Sequence, residues 1–385
     1  MKMEKEFKPV FVVGMFRSGT TLVSKALDVH SKITVVDDPF FQFFKSFRNE
    51  IFCSLDKNFD KNYPVSDNFF SDQEVANKKL DESTFKIPFN NVGLEEVKKN
   101  LFPFCEFYCP ELAPKILGMA AETYDELFRK LLDLEQEVYG SEKTELVGCK
   151  NTFSEQFIGP LINTYPNIKI IQIIRDPRAV MASQNKSDVG TYPILFALRH
   201  WRKSIAYALE YVNNTENFLL IKYEDFVENP VREMKKVCGF LGVIYEENMV
   251  DAGKYKGKKG QKWEQNSSFG SSREITKKFS EKWKEVLKEK EVQFIEDLCE
   301  PEMKAFGYGR STNSDFFNSV LNPPNFDIEV QDWVREYEAD FEIGEREMNK
   351  EIVRYLLLNS PNISVNNDFL KKVFVTKNFL TKIKP

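Results

Sequence analysis

Apolar runs that end in small or charged residues recur along the chain, with helical periodicity between them. Residues 9–14 form an unbroken apolar run closed by glycine, and residues 168–174 and 218–222 form two further, mainly apolar runs. Such runs are typical of strands buried in a parallel sheet. A segment with helical spacing follows each run, the last of them at 230–241. Strands that alternate with helices predict an α/β fold in which a parallel sheet is flanked by helices.

A long segment between the first and second runs interrupts this alternation. Residues 45–145 are rich in Phe, Asn and Lys and show weak periodicity until a predicted amphipathic helix at 122–138. We expect this segment to be a mostly helical insertion within a domain of residues 1–310. We also expect the insertion to form the acceptor side of the cleft.

The end of the chain has a different pattern. An Asn-Pro-Pro-Asn run at 322–325 favours a linker over residues 311–327, because such residues interrupt regular structure. Residues 328–385 contain one clear helical pattern, at 345–358, and repeat no earlier segment. We therefore expect a C-terminal helical extension behind the linker.

The charge and the amino-terminal residues exclude some classes of function. The 385 residues carry a formal net charge of −5, which argues against a general nucleic-acid binder, because such proteins present a basic face to the phosphates. Residues 1–8 are mostly polar, and the apolar run at 9–14 is too short for a signal sequence or a membrane span. We therefore expect a cytoplasmic protein that binds neither nucleic acid nor a membrane.

The cysteine and histidine content argues against a metal site. The chain has six scattered cysteines and two histidines, His30 and His200. Reduced thiols are the expectation for cysteines in a cytosolic chain. Two histidines are too few for a multi-histidine metal centre, and this scarcity also argues against a Ser/His/Asp triad. We therefore expect no metal.

A loop of small residues follows the first predicted strand and opens a helix. The backbone N–H groups at such a helix end suit a phosphate or sulfate group, although a glycine loop alone is equally consistent with a structural turn. The pattern G-x-x-R-S-G-T-T is similar to a P-loop, but Thr20 stands where that motif has lysine. Arg17 can supply the missing positive charge. The residues that fit an anion site here are Gly14, Arg17, Ser18, Gly19, Thr20 and Thr21.

Two segments resemble the sulfotransferases that use 3′-phosphoadenosine-5′-phosphosulfate (PAPS). Residues 17–21, Arg-Ser-Gly-Thr-Thr, resemble the 5′-phosphosulfate loop of that family. Residues 175–183 are similar to its 3′-phosphate segment, in which an arginine and a serine eight positions later hold the phosphate. Here 183 − 175 = 8, so Arg175 and Ser183 take these places. The branch with the clearest resemblance is the tyrosylprotein and bacterial carbohydrate-type group.

The resemblance covers residues 9–45 and 146–309 and does not reach the insertion or the tail. It implies a P-loop-like fold and a metal-independent, in-line transfer of a sulfuryl group from PAPS to a hydroxyl or amine acceptor. The other product is 3′-phosphoadenosine-5′-phosphate (PAP). The acceptor stays open among a small molecule, a carbohydrate and a peptide. Whether the chain forms a homodimer also stays open.

The resemblance also assigns roles to single residues. Arg17 and Lys150 are expected to stabilise charge on the transferring group, although Lys150 is also consistent with a solvated lysine. Ser267, or Ser268 beside it, matches a serine near the sulfate. Tyr223 matches a tyrosine beside the adenosine, although a tyrosine that closes a strand is often a core residue.

A hydroxyl acceptor must lose a proton, so the implied reaction needs a general base. Aligned without gaps on the tyrosylprotein branch, Asp38 falls where that branch has a catalytic glutamate. Asp38 is one methylene shorter, and Phe40 replaces the arginine expected two places later. Asp37 is the alternative base. We interpret His30 as structural and His200 as a packing residue.

Two other functions compete with sulfuryl transfer. A P-loop kinase shares the strand–loop–helix site but needs a lysine in the loop and an acidic residue after a second strand to hold Mg²⁺. Thr20 and Arg175 occupy those places and argue against a kinase. A noncatalytic nucleotide-binding homologue would tolerate the loss of Lys150 and of an acid near position 38, yet both are present.

Overall fold

A parallel sheet is the central feature of the structure, which is a computed structural model. In the described part of the chain this sheet has five strands, in the order β2-β3-β1-β4-β5. The strands are β1 (Pro9–Gly14), β2 (Ile33–Asp37), β3 (Leu146–Thr152), β4 (Lys169–Ile174) and β5 (Phe218–Lys222). A separate antiparallel pair consists of β6 (Gln265–Ser267) and β7 (Gly270–Ser272). The described residues are 8–65, 67–71, 73–184, 192–257, 263, 265–267, 270–272, 274–328, 330, 343–359, 366–376 and 379–383.

Helices pack on both faces of the sheet, which confirms the α/β fold predicted from the sequence. Among the described helices, none is both long enough and apolar enough to cross a membrane. The helices are α1 (Thr20–Asp28), α2 (Phe41–Cys53), α3 (Glu74–Asp81), α4 (Leu94–Tyr108), α5 (Ala113–Ile116), α6 (Tyr124–Tyr139), α7 (Ile158–Thr164), α8 (Pro177–Gln184), α9 (Ile194–Tyr211), α10 (Tyr223–Glu228), α11 (Pro230–Leu241), α12 (Trp283–Val286), α13 (Glu289–Ala305), α14 (Phe316–Leu321), α15 (Glu345–Asn359), α16 (Asn367–Phe374) and α17 (Phe379–Ile383).

The position of β1 at the centre of the sheet explains why its sequence is apolar throughout. Successive side chains of a strand point to opposite faces of the sheet. Phe11 and Val13 belong to an apolar cluster with α2, α4 and α6, whereas Val10 and Val12 belong to a cluster with α1 and α11. Both faces of β1 are therefore covered, and every residue of the strand is buried.

The sequence pattern does not predict β2 or β3. The carboxyl half of β3 contains Lys150 and Asn151, which are buried although they are polar. β2 also ends on a charged residue, Asp37. Polar residues at buried positions interrupt the apolar run that indicates a strand, so these two strands are legible only in the folded chain.

The insertion at 45–145 contains most of α2 and all of α3 to α6. Its phenylalanines form much of the core on one face of the sheet. The ring centroids of Phe47 and Phe85 lie 4.5 Å apart, and those of Phe85 and Phe128 lie 5.6 Å apart. The high phenylalanine content of this segment therefore serves packing.

The end of the chain differs from the expected linker and separate extension. Residues 311–327 contain the helix α14, and the predicted helix at 345–358 is α15. Apolar residues of α15, α16 and α17 join one cluster with α8, α9 and α13. Buried ion pairs link α15 to α9 and α13, namely Arg199 with Glu347, Arg199 and Arg202 with Glu351, and Arg354 with Glu302. The described helices α15, α16 and α17 of the tail are therefore part of the core.

Candidate active site

The carboxyl ends of four neighbouring strands bring most of the predicted site residues together. Parallel strands present these ends at one edge of the sheet, where ligands bind in open α/β folds. In the register of the sheet, Lys150 of β3 lies opposite Asp37 of β2 on one side and Val12 of β1 on the other. The loop after β1 and the segment after β4 complete the same edge.

The loop after β1 has the conformation that its sequence predicts. Gly19 caps α1 with a φ of 94°, which is the left-handed region that favours glycine. A Cβ atom added there would lie 2.4 Å from Cδ2 of Tyr223, so the close approach of this ring also requires glycine. The backbone N–H of Ser18 donates to the Met15 carbonyl oxygen at 3.0 Å and closes the turn. Thr20 is buried in the first turn of α1, beside the half-buried Thr21.

The segment after β4 contacts this loop directly. Arg17 Nε donates a hydrogen bond to Ser183 Oγ at 2.9 Å, and Arg175 Nη1 donates to the Arg17 carbonyl oxygen at 3.0 Å. A second Arg175 donor, Nη2, reaches the Phe279 carbonyl oxygen at 3.1 Å. Residues predicted to bind two ends of one nucleotide thus lie within hydrogen-bond distance of each other.

Two buried polar atoms at this junction lack a hydrogen-bond partner among the described residues. They are Ser18 Oγ and Arg175 Nε. A buried polar group without a partner costs free energy and is uncommon in native proteins, unless a ligand or water satisfies it. Both belong to predicted anion-binding residues, so the pair fits a site whose hydrogen bonds are completed by a bound phosphate or sulfate group.

The position of Tyr223 is consistent with both interpretations of this residue, as a contact of the adenosine and as a core residue. It begins α10, directly after β5, and its side chain is buried. The guanidinium carbon of Arg175 lies 4.3 Å from the centre of its ring, a cation–π contact. The ring of Tyr223 therefore packs against both Arg175 and Gly19.

Asp38 and Lys150 form an ion pair beside this junction. Lys150 Nζ donates to Asp38 Oδ2, and the backbone N–H of Thr152 donates to Asp38 Oδ1 at 3.1 Å. The Lys150 side chain is 2% exposed and the Asp38 side chain is 18% exposed. Lys150 is therefore a buried lysine and not a solvated one. Burial acts to lower the pKa of Lys150, but the charges of Asp38 and Asp37 outweigh burial and raise it.

Asp37 has a different environment from Asp38. Its Oδ2 lies 2.7 Å from Lys25 Nζ of α1, and its Oδ1 accepts a hydrogen bond from Ser24 Oγ. Lys150 Nζ lies 3.9 Å from Asp37 Oδ1. Burial acts to raise the pKa of Asp37, but the charges of Lys25 and Lys150 outweigh burial and hold this pKa below its ordinary value.

Asp38 also has an unusual backbone. Its φ of 52° lies in the left-handed region, which non-glycine residues seldom adopt. The backbone N–H of Asp38 donates to the Lys150 carbonyl oxygen at 2.6 Å, so β3 holds the turn in place. Such a conformation persists only where the surrounding structure determines it, and it is common at functional sites.

The remaining candidates lie elsewhere or outside the described residues. Ser267 ends β6, and its side chain and all of Ser268 lie outside the described part of the chain. His30 Nε2 lies 2.8 Å from the Ile244 carbonyl oxygen. His200 is buried against the ring of Phe196, and burial lowers its pKa well below the ordinary value.

Sequence reasoning missed three contributors to this site. Lys25 and Ser24 contact Asp37, and Thr152 contacts Asp38. Lys25 and Ser24 follow the recognisable loop by only a few residues, but nothing in the sequence pairs them with the end of β2. Their role depends on which strand lies beside α1.

Known proteins with similar sequences or folds carry related names. A carbohydrate sulfotransferase 3 from Tetronarce californica is 28% identical over 186 residues, which are 40% of this chain and 39% of that protein. The human carbohydrate sulfotransferase 1 is 23% identical over 197 residues, which are 43% of this chain and 44% of that protein. The chain thus spans less than half the length of these curated relatives. A solved sulfotransferase domain from the Synechococcus PCC 7002 olefin synthase has a TM-score of 0.49 at 16% identity, with 80% of this chain and 97% of that one covered.

A match to a whole family covers more of the chain. The description of that family is "Sulfotransferase family", and the match extends over residues 9–247. This range includes the loop after β1, the Asp38–Lys150 pair and the segment from Arg175 to Ser183. It is also more than half of the 385 residues. The chain therefore belongs to the sulfotransferase family, as the resemblance of residues 17–21 and 175–183 predicts.

Proposed function

We propose that this protein transfers a sulfuryl group from PAPS to a hydroxyl or amine acceptor, releases PAP and needs no divalent metal. The observation that carries the proposal is the contact of the two anion-binding segments. Arg17 donates to Ser183, and Arg175 donates to the Arg17 backbone. One ligand with anionic groups at both ends can therefore be held by both segments.

The residues present fit such a donor. Ser18 Oγ and Arg175 Nε are buried hydrogen-bonding atoms with no partner among the described residues, and each suits an anionic oxygen. The backbone N–H groups of Gly19, Thr20 and Thr21 lie at the start of α1, where the helix dipole favours negative charge. Ser18, Gly19, Thr20 and Thr21 would hold the 5′ end, and Arg175 and Ser183 the 3′-phosphate.

Bound PAPS supplies an activated sulfuryl group and a stable nucleotide leaving group. Negative charge on the transferring and bridging oxygens increases in the transition state, and preorganised cations in a water-poor site stabilise it best. Arg17 and Lys150 are the cations that we assign to this role. Because Lys150 is 2% exposed and ion-paired, little reorganisation of solvent accompanies its action.

Asp38 is the proposed general base. Lys150 and Thr152 hold its carboxylate at both oxygens, which fixes its orientation. Its 18% side-chain exposure leaves it accessible to an acceptor hydroxyl, which would donate its proton. Asp37 lies between Lys25 and Lys150, and their charges hold the pKa of its carboxyl below the ordinary value, so it is less suited to accept a proton.

Isothermal titration calorimetry with PAP tests the donor site. We expect binding in the presence of EDTA and weaker binding of ATP with Mg²⁺, because Thr20 replaces the lysine of a nucleotide-triphosphate loop. An absence of PAP binding would refute the donor assignment. Tight binding of ATP that requires Mg²⁺ would favour a kinase.

Incubation with radiolabelled PAPS tests the transfer itself. A panel of phenols, neutral sugars, glycosaminoglycan chains and a tyrosine peptide covers the acceptor classes that the sequence leaves open. The names of the carbohydrate sulfotransferase relatives support a sugar, and their similarity covers 40% and 43% of this chain. Transfer to any of the four classes supports the reaction and identifies the acceptor class.

A further inference from the structure

We propose that Asp37 and Lys25 are positioning residues that keep Lys150 charged and in place while Asp38 takes up a proton. The inference rests on the proposed function, because it assigns these residues a part in the same reaction. Neither residue needs to touch the donor or the acceptor. Both would act through Lys150.

Four side chains, Lys25, Asp37, Lys150 and Asp38, form a row of alternating charges. Lys25 Nζ lies 2.7 Å from Asp37 Oδ2, Asp37 Oδ1 lies 3.9 Å from Lys150 Nζ, and Lys150 Nζ donates to Asp38. The four side chains come from α1, β2, β3 and the turn after β2. All are largely buried, with exposures of 12% for Lys25 and 11% for Asp37.

The need for a second carboxylate follows from the chemistry proposed for Asp38. When Asp38 accepts the acceptor's proton, it becomes neutral and stops being the counter-ion of Lys150. A buried lysine without a counter-ion tends to lose its own proton, because burial disfavours the charged form. Loss of that proton would remove a cation just when negative charge increases on the transferring group.

Asp37 is suited to remain ionised through this step. Lys25 and Ser24 hold its two oxygens, so it keeps a negative charge while its neighbour Asp38 changes charge. Lys25 thus stabilises the negative charge of Asp37, and Asp37 in turn stabilises the positive charge of Lys150. Lys25 lies in the helix whose first turn forms the anion loop, so one helix serves both purposes.

The other titratable groups near the row are consistent with this assignment. Burial raises the pKa of Tyr108 to about 12 and also raises that of Cys109, so both stay neutral. Burial likewise raises the pKa of Asp28, which lies on α1 near Lys25 and Asp37. Among the described residues, the other titratable groups that face the row are Asp28 on α1, Tyr108 on α4, Cys109 after α4 and Cys149 on β3.

The test compares kcat, PAP affinity and the pH profile of kcat in Asp37→Asn. This change keeps the size of the side chain but removes the second counter-ion of Lys150. We expect kcat to fall by about 10–10²-fold, the range for a misplaced catalytic group, with PAP affinity nearly unchanged. We also expect the basic limb of the pH profile to move to lower pH, because Lys150 loses one of the two carboxylates that raise its pKa.

Substitutions of Lys25 separate a charge effect from a structural one. Lys25→Met should lower kcat, and Lys25→Arg should restore much of it, since arginine keeps the charge beside Asp37. Lys32→Met is the matched control, because Lys32 pairs with Glu145 at 2.7 Å but both side chains are exposed. If Lys25→Met does not fold, the nearly isosteric Asp37→Asn still carries the test.

The outcomes distinguish this inference from the proposed function. If the wild-type protein binds PAP and transfers sulfate but Asp37→Asn leaves kcat and the basic limb unchanged, the positioning role is refuted and the function stands. If Asp37→Asn abolishes turnover while Asp38→Asn does not, Asp37 is the base and the positioning role is also refuted. If the wild-type protein neither binds PAP nor uses PAPS, the proposed function itself fails.

Discussion

Glu351 in the tail offers the sharpest test of how the fold is held together. Its carboxylate accepts hydrogen bonds from Arg202 Nη1 at 2.6 Å, Arg202 Nη2 at 2.9 Å and Arg199 Nε at 2.8 Å. Its side chain is 2% exposed. The substitution Glu351→Gln preserves shape but removes the charge, so the buried guanidinium of Arg202 loses its carboxylate partner.

The size of the stability loss in Glu351→Gln depends on which ion pairs remain. Breaking a buried ion pair by removing one charge costs about 3–5 kcal/mol, because the other charge stays buried without compensation. Arg199 keeps its pair with Glu347, whereas Arg202 pairs with Glu351. We therefore expect the lower end, a loss of about 3 kcal/mol in the free energy of unfolding.

Urea unfolding followed by tryptophan fluorescence measures this loss. The exposed Glu345→Gln on the same helix is the control, and we expect it to change stability by less than about 0.5 kcal/mol. A loss in Glu351→Gln no larger than in the control would refute the argument that the tail is anchored by this pair. A changed slope of the urea dependence would show instead that the unfolded or native state had changed in compactness.

The pH dependence gives an independent check of the same pair. Burial acts to raise the pKa of Glu351, but Arg202 and Arg199 outweigh burial and lower it. A carboxylate with a lowered native pKa contributes stability above its unfolded value of about 4.3, and this contribution disappears as the pH falls through the native pKa. The difference in stability between wild type and Glu351→Gln should therefore be full at pH 7 and shrink below about pH 4.3.

Three further predictions concern the proposed site and the tail. Arg175→Ala should weaken PAP binding by about 1.5–3 kcal/mol and Ser183→Ala by about 1 kcal/mol, measured by calorimetry, and equal, negligible effects would contradict the 3′-phosphate assignment. Asp38→Asn should lower turnover by about 10²–10⁴ with PAP affinity little changed, and Asp38→Glu should retain more activity; an active Asp38→Asn protein would exclude Asp38 as the base. Deletion of residues 328–385 should destabilise the whole protein, because it removes the buried ion pairs that link α15 to α9 and α13. A truncated protein with unchanged thermal stability would show that these ion pairs are dispensable.

The sequence by itself determined the features that depend on neighbours along the chain. The apolar runs predicted β1, β4 and β5, and the loop from Arg17 to Thr21 directly after β1 predicted an anion site. The family resemblance of residues 175–183, which run from the turn after β4 through most of α8, predicted the second segment. Local order suffices here, because strand, turn and helix are contiguous and the helix end itself supplies the binding groups.

Only the tertiary structure decided which charges meet. Lys150 and Asp38 are 112 positions apart, and they pair because β2 lies beside β3 in the sheet. The same strand order pairs Lys25 of α1 with Asp37, and the packing of α15 on α9 pairs Arg202 with Glu351. Buried polar residues weaken the apolar pattern that would reveal their own elements, as in β3. Their partners are fixed by strand order and helix packing, which no local pattern in the chain encodes.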